Sequence, residues 1–170
     1  MILGLKMGKG LKLKAQDHDD LTIISAYLQD AVTVVGDFNF NPKSRIFALM
    51  VNRYQWEEFQ NRDSDDARHN CQRIRTGCHF ENVIKVTSQN IPQDNKTHVL
   101  ELLAIEASEL ENNNVAIDLI FAADGLLRLE AELIEASMQD IGKPYPAKCH
   151  PKHEILDVIK HEILDVIKNY

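Results

Sequence analysis

The chain has no basic excess, no long apolar run and few cysteines, and each shortage removes a class of protein. Lys and Arg number 19 against 26 Asp and Glu, a net charge of −7. A general nucleic-acid binder needs a cationic surface to neutralise phosphates, so that class is excluded. A local basic patch can still hold a small anion. No stretch approaches the roughly 18 consecutive apolar residues of a membrane helix, so no membrane partner is expected. The opening MILGLKMGKGLKLK carries lysines but neither an apolar core nor a small-residue cleavage pattern, so no secretory signal is read. The Asn95-Lys96-Thr97 sequon then has no consequence. Cys71, Cys78 and Cys149 are an odd set in 170 residues. That is not a disulfide framework, and a cytoplasmic location follows.

Familiar catalytic signatures are missing too. GLKMGKG is one residue short of a phosphate loop and places Gly10 where Ser or Thr belongs. HEILD puts Asp157 where a zinc protease needs its second histidine. DSDD at 63–66 lacks the glycine and distal glutamate of a calcium loop. There is no G-x-S-x-G elbow. Cys149, His150 and His153 can all donate to a metal, but no second cluster at matching spacing completes a tetrahedral set. Neither metal nor cofactor is expected, and no catalytic residue is assigned.

What is present is periodicity. LKLKAQ (11–16) alternates as a short strand. DHDDLTIISAYLQDA (17–31) has an N-cap acid in Asp17, acids in the first turn, and Leu21, Ile24, Leu28 and Ala31 on one face, a helical pattern. From Val32 the period is two: a strand over 32–40, a Pro42 turn, and a strand over 45–56 form a hairpin. Residues 57–72 are a polar, acidic loop. Strands follow at 73–88 and 98–107. Asp124-Gly125 then joins two alternating runs within 115–137 as a tight hairpin, and Gly142, Pro144 and Pro146 end the region. Short connections imply antiparallel pairing. The predicted fold is α+β: a mainly antiparallel, strongly bent sheet or partly open barrel of about seven strands, one helix near the N-terminus and one at the C-terminus. Residues 1–10 are a flexible tail, 11–150 a single domain, and 151–170 a terminal amphipathic helix.

Two stretches are candidate binding sites. In NRYQWEE, Arg53 lies beside the only tryptophan, Trp56, a pairing suited to a planar or anionic ligand. The competing reading is that Trp56 fills the end of the hairpin core. In RIRTGCHFE, Arg73 and Arg75 share a strand face with His79 and Glu81. Two guanidiniums there would clamp a small anionic ligand, with His79 and Glu81 as an acid–base pair. The competing reading is a solvated face paired with the acidic loop.

The octet HEILDVIK stands twice in succession, at 153–160 and 161–168. Eight residues rotate a helix face by about 80°. Ile155, Val158, Ile159, Ile163, Val166 and Ile167 therefore share one arc, opposite Asp157, Lys160, His161 and Lys168. A period of eight does not sustain a coiled-coil seam. If the second copy has no room on the domain, its isoleucines seek another subunit, and a homo-oligomer is expected.

With LQDA (28–31), VGD (35–37), RIFALMVNRYQWE (45–57), RIRTGCHF (73–80) and the ADG hairpin, the chain resembles domain-of-unknown-function family 2948, found mainly in alphaproteobacteria. The similarity runs from about Leu11 to His153 and departs at the duplicated tail. It implies a bacterial cytoplasmic protein and carries over no activity, cofactor or catalytic residue. The residues themselves favour a non-catalytic interaction or small-ligand-binding domain that self-associates. The alternative is an enzyme holding a small anionic metabolite with Arg73 and Arg75 and using His79 as acid or base. A chain stopped after Lys160 is predicted to form a smaller assembly than the full chain. Light scattering checks this, and an unchanged size rejects it.

Overall fold

The computed structural model describes residues 10–59 and 71–148. The first helix, α1 (His18–Leu28), starts where its capping chemistry says it should. The Asp17 carboxylate accepts from Asp20 N at 2.8 Å, and the Asp20 carboxylate accepts from Gln16 N at 3.1 Å. The first bond satisfies an amide that the helix leaves free, and the second ties the residue before the N-cap to the first turn. Leu21, Ile24, Tyr27 and Leu28 form its buried face. The helix ends at Leu28, short of the predicted Ala31, because Asp30 turns left-handed (φ 60) and its N–H donates to Leu102 O at 2.7 Å.

The strands are β1 (Lys12–Ala15), β2 (Ala31–Val34), β3 (Phe38–Asn41), β4 (Ile46–Tyr54), β5 (Gln72–Phe80), β6 (Val83–Gln89), β7 (Val99–Glu109), β8 (Val115–Phe121), β9 (Gly125–Ala131) and β10 (Ala136–Pro146). They form one 10-stranded sheet in the order β1-β10-β5-β4-β2-β7-β8-β9-β6, with β3 attached to β4. Every pairing is antiparallel. The path has two ends and does not close.

This corrects the expectation of about seven strands, two helices and a partly open barrel. Three predicted strands are each divided. The run 32–40 is broken by a 3-10 turn at Val35–Asp37, where Gly36 N donates to Lys96 O at 2.8 Å. A Cβ at Gly36 would stand 2.9 Å from that oxygen, so only glycine permits the approach. The run 73–88 is divided at Asn82, which adopts φ 58. Of the hairpin predicted within 115–137, the first run is β8 and the second is divided into β9 and the start of β10. In its hairpin the left-handed residues are Ala123 and Asp124, one position before the predicted Asp124-Gly125, and Gly125 already pairs with Phe121. Gly142 and Pro144 do not end the region. They sit in a register shift between Ile141 and Tyr145, the place a strand tolerates a proline. Among the described residues, α1 is joined only by the single turn α2 (Trp56–Phe59), and no helix is long and apolar enough to cross a membrane. The predicted terminal helix, and the Cys149, His150 and His153 group, lie outside the described residues. Cys71 is disulfide-bonded while Cys78 is a free buried thiol, so the odd cysteine count no longer supports a reducing compartment.

A single core draws Leu13 from one end of the sheet, Val83 from the other, and the buried face of α1. Within it stands a charged cluster. Arg53 occupies the next core-facing position after Phe47, Leu49 and Val51, and its side chain is 0% exposed. Its Nε and Nη2 donate to Asp140 Oδ1 (2.8 Å) and Oδ2 (2.6 Å); Nη1 and Nη2 donate to Glu57 Oε2 (3.0 Å) and Oε1 (2.7 Å). Nη1 also donates to Tyr54 O at 2.9 Å, so every guanidinium N–H is used. Asp140 accepts further bonds from Thr76 Oγ1 (2.8 Å) and Leu11 N (3.0 Å). Burial alone would lower the Arg53 pKa, but its hydrogen bonds to the Glu57 and Asp140 carboxylates raise it overall.

Asp140→Ala removes one of the two carboxylates paired with that guanidinium, leaving its Nε–H and one Nη2–H without their acceptor, and takes the same acceptor from the Thr76 hydroxyl and the Leu11 amide. A loss of about 3–5 kcal/mol is predicted for breaking a buried pair, read as a lower urea midpoint; a variant within about 1 kcal/mol of the parent refutes it. The same core predicts alkaline weakening. Burial pushes the Cys78 thiol from 9.0 to about 12, and burial with the nearby Glu57 pushes the Tyr27 hydroxyl from 10.0 to about 12. The folded chain keeps these protons after the unfolded chain has released them. Their stabilisation is therefore complete below pH 9 and falls as pH rises toward 12. Thermal midpoints across that window should fall, and fall less steeply at first in Cys78→Ala.

Candidate functional site

Strand register builds a trough on the sheet face turned away from α1. Lys12 pairs with Gln139, Gln139 with Gly77, and Gly77 with Met50. One row further, Lys14 pairs with Ser137, Ser137 with His79, His79 with Ala48, and Ala48 with Asn39. Directly opposed residues share a face, so two rows of side chains cross β1, β10, β5 and β4. They bound a cavity of about 510 Å3, which also meets Asp37, Glu81, Glu135 and Ile141. Gly77 makes the floor deep: a Cβ there would lie 3.3 Å from Ile141 Cδ1 and 3.4 Å from Met50 Sδ.

The five sequence-predicted binding residues do not assemble into one pocket. His79 alone of them lines the trough. Arg75 lies one row away, 48% exposed, with its Nη2 3.7 Å from Asp37 Oδ2. Arg73 is on the same strand face but buried, its guanidinium 3.8 Å above the Tyr54 ring and donating to Asn52 O (2.6 Å) and Asp30 O (3.1 Å). Arg53 faces the other way, into the core. Trp56 packs against the core edge, donates from Nε1 to Gln29 O at 3.2 Å, and has its ring 5.2 Å from that of Tyr54.

Around His79 there is a grouping that invites a catalytic reading. Its Nε2 lies 3.2 Å from Glu81 Oε1, and Ser137 Oγ lies 3.1 Å from the ring. The hydroxyl, however, is 3.1 Å from both Nδ1 and Nε2. An oxygen equidistant from the two nitrogens lies on the lone-pair axis of neither, so His79 is not placed to take the serine proton. Among the described residues no three His, Cys, Asp or Glu side chains converge to hold a metal.

The trough's charges are unevenly partnered. Asp37 faces Arg75, Glu81 faces His79, and Glu135 accepts from Asn82 Nδ2 at 2.8 Å. Among the described residues Lys12 and Lys14 have no ion-pair partner. Sequence reasoning had passed over these two lysines, Gly77 and Ser137. The alternation in LKLK does put both lysines on one face. Only the pairing of β1 with β10 brings them to His79.

No curated protein and no solved structure matches the chain. A family model described as a protein of unknown function (DUF2948) matches residues 11–153. That span contains every described strand, α1 and both rows of the trough, and the chain belongs to this family.

Proposed function

We propose that this protein is a non-catalytic binding domain whose trough takes a small anion with an apolar body. The observation that carries this reading is the contrast in partnering. The acids lining the trough are engaged by neighbours, while Lys12 and Lys14 present two unpaired ammoniums to the same cavity. Met50, Ala48 and the half-exposed Ile141 supply apolar surface beside them. A carboxylate, sulfonate or phosphate head on the lysines, with its body over the Gly77 floor, satisfies both parts. The enzyme reading has less support, because Arg73 is enclosed against Tyr54 and the Ser137–His79 geometry lacks alignment. The bacterial setting implied by the family resemblance belongs to the same proposal; the cytoplasmic one rests on that resemblance alone, and the disulfide at Cys71 weighs against it. Self-association through the tail is a separate one, tested by truncation after Lys160.

Anilinonaphthalene sulfonate is a suitable probe, an aromatic body carrying one anionic head. The native protein should bind it with enhanced fluorescence. Lys12→Glu with Lys14→Glu should weaken binding by roughly tenfold or more, a difference of about 1.4 kcal/mol. Gly77→Val should block it sterically. The flexible ends of Ile141 and Met50 are the nearest obstacles to that valine, so the melting curve should stay close to the parent's. Equal binding by all three proteins would reject the trough as the site.

A further inference from the structure

A second opening lies at the other flank of β4. Beyond its pairing with β4, β3 has a free edge, and β6, whose one strand partner is β9, has another beyond Val83, whose N–H donates to Arg45 O at 2.9 Å. Both edges bound one cavity of about 480 Å3. Phe38, Phe40, Val86 and Ile91 line it, partly buried and packed on the core, so the core reaches solvent here between two unfinished strands. Lys96 is the one charged residue in the lining, and among the described residues it has no ion-pair partner.

We propose that this slot binds an extended peptide segment of another protein, added as a strand between β3 and β6, with alternating apolar residues and one acidic residue for Lys96. Free strand edges present unpaired amides and carbonyls, which an extended backbone satisfies and a lipid or small apolar molecule does not. The occupant has to offer both of its own edges. A folded second copy, whose strands are already paired on at least one side, can satisfy only one. Phe38 and Phe40 stand two apart on β3, so every second side chain of the incoming segment meets the aromatic pair. The acidic requirement follows from Lys96 being unopposed.

The test uses the full chain and a short fluorescent peptide of alternating valine and threonine with a single glutamate, read by polarisation. The native protein should bind it. Lys96→Glu, at an exposed position, should leave the melting curve unchanged and weaken binding roughly tenfold, and a peptide carrying lysine in place of the glutamate should restore it. Methylating alternate backbone nitrogens of the peptide blocks one of its two hydrogen-bonding edges but keeps its side chains, and should abolish binding because both edges are required. Lys12→Glu with Lys14→Glu, in the trough, should bind the peptide normally. No binding by the native protein overturns the proposal. So does undiminished binding of the methylated peptide, which would make the slot a patch of adsorbing apolar surface.

Discussion

The sheet depends on one buried guanidinium. Arg53 on β4 reaches Asp140 on β10, 87 residues away, and Asp140 in turn holds Thr76 on β5 and the amide of Leu11 just before β1. Leu11 O accepts from Asp140 N at 2.9 Å, so the start of β1 is bonded to residue 140 in both directions. Removing two charges from water costs several kcal/mol per ion, and their attraction repays that only when every donor and acceptor is met. Here each is met. An apolar replacement of similar volume could match the cluster in stability, so what the charges add is specificity. The bonds of Asp140 to Leu11, Arg53 and Thr76 are made in this alignment of β1, β10, β5 and β4, and a slip of any one of the four would break one of them.

That alignment is what makes the trough. A one-residue slip of β1 against β10 would turn Lys12 and Lys14 toward the core and push Leu13 and Ala15 into water. The same slip would separate the lysines from the row that carries Ser137 and His79. A buried ion pair on one face of the sheet thus sets which side chains meet on the other. The two faces are coupled through register, with no side chain passing between them.

The sequence made the local parts of this legible. The Asp17 cap, the face of α1 and the alternation of β4 and β5 follow from interactions within a few residues of one another, and periodicity reports such interactions. It also placed Arg73, Arg75 and His79 on one strand face. What it missed were effects of distant neighbours. Arg53 reads as a surface charge because its neutralising partner lies 87 residues on. Gly36 reads as mid-strand because the Lys96 carbonyl that bends the chain there belongs to a loop after β6. The glycine and prolines after Ile141 read as terminators because proline ends strands unless a bulge absorbs it, and the bulge is made with β5. Arg73 reads as an anion clamp because nothing nearby in the chain announces that Tyr54 covers it.

The proposal of binding over chemistry rests on the geometry around His79. A general base needs its acceptor nitrogen aimed at the proton it takes, and the aim of His79 is settled by Glu81, the residue just past the end of β5, and by Ser137 across the ladder. A β-ladder holds directly opposed side chains side by side, projecting in the same direction. Such a pair tends to stack hydroxyl against ring, which keeps the two close without aligning them. Catalytic groups aimed at one another more often come from loops, where the backbone can turn a side chain back on its neighbour. Both openings described here have strands for walls. The trough offers parallel rows of side chains, and the slot offers unpaired backbone. Each suits recognition along a surface, and neither focuses several groups on one reacting atom.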